Sequence, residues 1–63
     1  MSTTIRDLRT KRNLSQSELA TAINAKQSTI SDIERGAKRP SIAMAIRLAK
    51  FFGVTLDELL IPA

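Results

Sequence analysis

Cysteine and histidine are both missing from these 63 residues. Their absence removes a disulfide framework, a zinc knuckle, a thiol nucleophile and any histidine-based triad. There is no glycine-rich phosphate loop, and Asp57-Glu58 is accounted for as the start of a helix. An enzyme is therefore not expected, no cofactor or metal is implied, and no small-molecule ligand is evident. No apolar run approaches the ~20 residues needed to cross a bilayer, so no membrane partner is expected. Met1-Ser2-Thr3-Thr4 lacks a charged start followed by an apolar stretch, and the expectation is a cytoplasmic protein without a secretion signal. A chain this short forms one domain, here residues 1–63, and buries only about 60% of its unfolded surface. Its stability has to come from helix packing and caps, with association with a second copy as an optional further source. Ten Lys and Arg stand against six Asp and Glu, a net charge of +4. That excess on so little chain points to a polyanionic partner.

The two Gly and two Pro fall where helices stop or restart. From Thr4, the residues Ile5, Leu8, Arg9 and Arg12 run at helical spacing, and Asn13 closes that helix because Asn tolerates the left-handed conformation. Ser15-Gln16-Ser17-Glu18 is a capping box that opens a second helix with Leu19, Ala20 and Ile23 on one face, closed by Asn24. A third helix is expected from about Gln27 to Arg35, with Ile30 and Ile33 inward and Gly36 as its stop. Pro40-Ser41 begins a fourth, in which Ile42, Ala45, Ile46 and Ala49 are spaced for burial and Leu48, Phe51 and Phe52 widen the stripe. Thr55-Leu56-Asp57-Glu58 is a second capping box, opening a fifth helix with Leu56, Leu59 and Leu60 that Pro62 ends. The apolar residues of Ser28–Ile33 lie three apart, which splits them between the two faces of a strand. The expected fold is all-α.

Between the second and third helices lie only Asn24-Ala25-Lys26. A turn this tight sets two helices at roughly 90–120°, and Ala20 is small enough for the backbones to approach. The outward residues of the third helix are then Gln27, Ser28, Ser31, Asp32 and Arg35, polar or short and suited to entering a groove. Together with the rest of the chain, this arrangement resembles the Xre family of helix-turn-helix regulators, which includes phage Cro proteins and phage repressors. The resemblance rests on Leu14-Ser15-Gln16-Ser17-Glu18-Leu19-Ala20, Ser28-Thr29-Ile30-Ser31-Asp32-Ile33-Glu34-Arg35-Gly36, Pro40-Ser41 and residues 48–60, in that order. It implies a compact five-helix, lambda-repressor-like domain whose second and third helices bind double-stranded DNA.

The residues themselves suggest how. The major groove admits a helix, and Gln bonds adenine N6 and N7 with two hydrogen bonds. Gln27 sits in the first turn of the third helix, where this motif meets base edges. Ser28 and Ser31 reach bases without specifying which. Asp32 repels phosphate and accepts usefully only from cytosine, so it either penalises other bases or sits in solvent beside Arg35. Gln16 and Ser17 open the second helix, whose N–H groups face a phosphate. The resemblance adds that a Gln at the position of Gln16 contacts phosphate and braces a Gln at the position of Gln27 against adenine.

Residues 15–34 hold Lys26 against Glu18, Asp32 and Glu34, and are acidic overall. Phosphate contacts are therefore expected from the flanks, at Arg35, Lys38 and Arg39, with Lys26 at the turn. Arg47 and Lys50 read as an ordinary solvated face. Helical spacing puts Glu34 on the Ile30 and Ile33 side of its helix, where a lone carboxylate is costly. The resemblance implies that it pairs with Arg9 as a partly buried structural ion pair. Lys26 departs from the family's Ser or Thr at that position, since Lys accepts no N–H bonds. Either the helix start frays until a phosphate arrives, or Ser28 shifts the cap by two residues.

The function implied is a sequence-specific regulator, first of all a repressor, that reads a palindromic operator as a homodimer. The segment Phe51–Leu60 is the expected contact between copies, although core burial is the better use for Phe51 and Leu56. The rival reading is a protein-interaction module of the same fold, such as an antitoxin or accessory factor. A steep fall of duplex affinity with salt separates the two.

Overall fold

The computed structural model describes residues 3–60, except for the side chains of Thr3 and Leu60. Four helices appear among the described residues: α1 (Ile5–Lys11), α2 (Gln16–Ala22), α3 (Gln27–Glu34) and α4 (Ile42–Phe52). Short extended segments, β1 (Thr3–Thr4) and β2 (Leu59–Leu60), bracket them.

Each helix start has a local cause, with one exception. The hydroxyls of Thr4, Ser15 and Ser41 accept the N–H of Asp7, Glu18 and Met44 respectively. At Ser15 the box is complete, because the Glu18 carboxylate accepts the Ser15 N–H at 2.8 Å. Lys26 caps α3 without any side-chain bond. The helix ends share one device. Asn13, Asn24, Gly36 and Gly53 all take positive φ, from 56° to 77°. After each, the next N–H reaches back to a carbonyl five residues earlier: Leu14 to Arg9, Ala25 to Ala20, Ala37 to Asp32 and Val54 to Ala49. This closure satisfies carbonyls the helix leaves unpaired and reverses the chain within two or three residues.

The core gathers Ile5, Leu19, Ala20, Ile23, Ile30, Ile33, Leu48, Phe52 and Leu59, with Leu8, Ala25, Met44, Phe51 and Val54 packed against it. Every helix contributes, and α2 and α3 pack directly on each other. Two expectations fail on α4. Ile42 is 79% exposed and Ile46 is exposed as well, whereas Leu48, Ala49 and Phe52 are buried as expected, with Met44 partly buried in line with them. Nine of the eleven residues of α4 are apolar, so periodicity alone does not choose between neighbouring stripes. The stripe that carries Leu48 and Phe52 faces the other helices.

The fifth helix is also replaced. Its capping box forms, with Thr55 Oγ1 accepting the Glu58 N–H and Glu58 Oε1 accepting from Thr55. The turn then closes tightly, Glu58 to Thr55 and Leu59 to Leu56, and does not propagate. Leu59 and Leu60 run extended and pair in parallel with Thr3 and Thr4, in the register Thr3 with Leu59 and Thr4 with Leu60. A helix nucleus is costly, and repays that cost only when further i to i−4 bonds follow. Here Leu59 gains a core position and the N-terminal backbone gains a partner. Leu56, expected in the core, is 50% exposed on this turn. Pro62, expected to end the fifth helix, lies outside the described residues.

The burial pattern predicts opposite outcomes for two aliphatic residues of α4. Leu48→Ala, at a site with no solvent exposure, should cost about 2–5 kcal/mol, most of what a domain this small possesses. Ile42→Ala should stay within about 0.5 kcal/mol of the parent. Urea denaturation followed by circular dichroism measures both.

Candidate nucleic-acid interface

The turn between α2 and α3 is held by one backbone bond and one left-handed residue. Ala25 N–H donates to the Ala20 carbonyl at 2.8 Å, and Asn24 at φ 58° turns the chain. Thr29 and Ile30 N–H both donate to the Lys26 carbonyl. The helix therefore starts at Gln27, and Ser28 does not take over the cap. The face of α3 opposite Ile30 and Ile33 is open. Gln27, Ser28 and Arg35 are exposed, and Ser31 and Asp32 are half-buried. Ser17, Lys26, Lys38 and Arg39 are exposed as well.

Behind that face lies a polar junction centred on Glu34. Its side chain has no solvent exposure. Arg9 approaches it as a fork, Nε donating to Oε2 at 2.7 Å and Nη2 to Oε1 at 3.1 Å. The third Arg9 donor, Nη1, reaches the Leu14 carbonyl at 2.8 Å. One guanidinium thus ties α1, the α1–α2 turn and α3 together. Gln16 Nε2 donates to Glu34 Oε1 at 3.1 Å, and Arg6 Nε lies 3.5 Å from the same oxygen. Gln16 is thereby anchored to Glu34 rather than to Gln27, and its half-buried position places it between the helix start and the junction.

Burial pushes the Glu34 carboxyl up, but the hydrogen bonds from Arg9 and Gln16, the charge of Arg9 and the bond from Arg6 more than offset it, so it lies below the usual carboxylate range. The hydrogen bond to Glu34 raises Arg9 above its ordinary value, burial opposes this, and the carboxylate charge adds to the rise. Bidentate pairing of this kind is the strong form of a charge-assisted bond.

Asp32 is committed too. Arg35 Nη2 bonds to its Oδ1, and Lys38 Nζ lies 3.7 Å from Oδ2. The remaining carboxylate of the motif, Glu18, is held in its capping box. The acidic character of residues 15–34 is therefore offset locally: Arg9 and Arg6 cover Glu34 from the preceding helix, and Arg35 and Lys38 cover Asp32 from the following turn. The open face of α3 presents amides, hydroxyls and flanking cations, with no uncovered carboxylate.

Arg12 has a role that its sequence neighbourhood does not disclose. Its Nη1 and Nη2 donate to the Phe51 and Phe52 carbonyls at 2.9 and 3.1 Å, at the C-terminus of α4. Its guanidinium carbon sits 5.2 Å from each of the two phenyl centroids. A cation there satisfies orphan carbonyls and complements the helix dipole. The adjacent phenylalanines before Gly53 are the only sequence signal, and they do not say which of ten cations arrives.

A helix-turn-helix family model, HTH_3, matches residues 5–59. The cryptic phage CTXphi transcriptional repressor RstR of Vibrio cholerae is 41% identical over 58 residues, 92% of this chain and 52% of the relative. An uncharacterised HTH-type transcriptional regulator of Methanocaldococcus jannaschii is 41% identical over 49 residues, 78% of this chain and 74% of its own. The HTH-type transcriptional activator BcrR of Enterococcus faecalis is 39% identical over 56 residues, 89% of this chain but 28% of its own. This chain thus spans about half of the Vibrio relative and a smaller part of the Enterococcus one. Among solved structures, the restriction-modification controller protein C.AhdI of Aeromonas hydrophila superposes with a TM-score of 0.78 at 31% identity, covering 86% of this chain and 82% of that one.

The junction predicts a specific pattern of instability. Glu34→Gln should cost about 3–5 kcal/mol, because Arg9 is left buried without its counter-charge, whereas Arg9→Met combined with Glu34→Leu should cost much less. The folded Glu34 carboxyl lies below its ordinary 4.5. Its contribution is therefore complete above that value and lost as pH falls below it through the folded value. Thermal melts from neutral to strongly acid pH should show the loss in the parent and a smaller acid dependence in the double variant.

Proposed function

Since the chain belongs to the helix-turn-helix family, we propose that it is a sequence-specific regulator of transcription that seats α3 in the major groove of duplex DNA. The observation that carries this reading is the open polar face of α3, with Gln27 and Ser28 exposed and Arg35, Lys38 and Arg39 beside it. Gln27, at the start of α3, reads adenine through its amide, and Ser28 and Ser31 add shorter contacts to base edges. Ser17, Lys26, Arg35, Lys38 and Arg39 serve phosphates, positioning the protein without carrying sequence information. The unfilled cap at Lys26 suits this use, since the free N–H groups at the start of α3 and the ammonium both favour an anion. Gln16, fastened to Glu34, is the route by which the buried junction sets the height of the motif over the backbone. Phosphate contact and bracing of Gln27 require its free donor to turn outward.

Two copies related by a twofold axis read a palindrome with half-sites about 34–36 Å apart. The segment from Phe51 to Leu60 is the proposed contact between them. Within it, Phe52 and Leu59 belong to the core, and Leu56 is an exposed apolar side chain. Repression follows where the bound pair overlaps a promoter. The named repressor and activator among the relatives leave the direction of control to the position of the site. No helix among the described residues is long and apolar enough to cross a membrane, in keeping with action in the cytoplasm.

Selection from a random duplex library should return a palindrome of that spacing. Gln27→Ala should then cost about 1–3 kcal/mol in binding and relax preference at one base pair per half-site. Lys38→Ala should instead weaken all sequences alike and lower the salt slope by about one. Duplex affinity that does not fall with salt would defeat the reading and favour a protein partner.

A further inference from the structure

Asp32 stands at the centre of a cluster that the base-reading account does not use. Each of its carboxylate oxygens faces a different cation, Oδ1 the Arg35 guanidinium and Oδ2 the Lys38 ammonium. Its backbone carbonyl is engaged too, accepting the N–H of Ala37 at 2.8 Å and of Lys38 at 3.2 Å. Gly36, at φ 77°, is the reversal that brings the chain back to it. Lys38 is thus held to one residue by both main chain and side chain. At helical spacing, Asp32 lies one turn after Ser28 and Arg35 one turn after Ser31, so the two cations stand beside the open face of α3.

We propose that Asp32 is a positioning residue that sets specificity: an internal counter-ion that holds Arg35 and Lys38 in place and limits their grip on arbitrary duplex, without reading a base. This rests on the proposed duplex binding. The Arg35 bond and the Lys38 charge already compensate this carboxylate, so it gains less by turning to a cytosine amino group than by keeping its two cations. A duplex seated in register by Gln27 and the serines meets Arg35 and Lys38 where Asp32 holds them. A duplex bound out of register has to draw them away, leaving the carboxylate uncovered next to phosphate. The second arrangement is penalised and the first is not, so the ratio of specific to non-specific affinity widens.

Asp32→Asn keeps the shape and removes the charge. Binding to the selected palindrome and to a shuffled duplex, measured across a salt series, tests the proposal. The variant should select the same sequence, bind shuffled duplex several-fold tighter, and show on it a salt slope steeper by about one. The gain should vanish when Arg35 and Lys38 are both alanine, a non-additivity that bare removal of a charge does not produce. Three results overturn it: a changed preference at one base pair, unchanged or weaker binding to shuffled duplex, or a gain that persists in full without the two cations. A parent chain that shows no salt-dependent duplex binding defeats the regulatory reading itself, and that arm is scored first. An unchanged melting temperature of Asp32→Asn excludes unfolding as the cause.

Discussion

The carboxylate of Glu34 is the constraint on which the rest of the structure depends. It is a fully buried charge in a domain too small to shelter one without help. It is tolerable because Arg9 meets it with two donors, Gln16 with a third and Arg6 with a second positive charge at longer range. Those donors come from α1 and α2, while Glu34 itself ends α3. The ion pair therefore fixes the three helices relative to one another in a way that non-directional apolar packing does not. A buried pair of this kind adds little net stability over an apolar substitute, but it penalises every arrangement in which one partner lacks the other.

That penalty bears directly on the interface. The open face of α3 and the start of α2 are displayed at a height and angle set by what lies behind them. Gln16 joins the buried junction to the surface, since its amide is bonded to Glu34 while its helix start faces outward. The motif is rich in carboxylates yet presents none uncovered. Glu18 closes a capping box, Glu34 is buried under arginine, and Asp32 is flanked by Arg35 and Lys38. The positive charge that composition records is spread so that part of it stabilises the fold and part stands at the edge of the open face.

The helix ends show the same economy. Four reversals, at Asn13, Asn24, Gly36 and Gly53, use one left-handed residue and one five-residue back-bond each. Connections this short leave few ways to arrange four helices, which lowers the entropy lost on folding. At the last of them, Arg12 comes from α1 to hold the end of α4. Both ends of α1 thus anchor distant parts of the chain, Arg9 and Arg12 near its C-terminus and the β1 pairing before its N-terminus.

What the sequence by itself determined is local. Capping hydroxyls, left-handed Asn and Gly, and apolar spacing located four helices to within a residue or two, because each signal acts on neighbours three to five positions away. The outward polar face of α3 followed from the same spacing. Tertiary structure decided the rest. Thr55 and Glu58 form their box, yet the helix stops after one turn, since Leu59 gains more from the core and from Thr3–Thr4 than from further helix. The buried stripe of α4 was ambiguous in a segment apolar almost all round, and only the facing helices selected Met44, Leu48 and Phe52 over Ile42 and Ile46. Asp32 and Arg35, three apart on one helix, are neighbours that the spacing already offered, but the partners of Gln16 and Arg12 lie 18 and 40 residues away. Ion pairs and carbonyl contacts between elements carry no periodic signature, so which cation covers which acceptor exists only once the chain is folded.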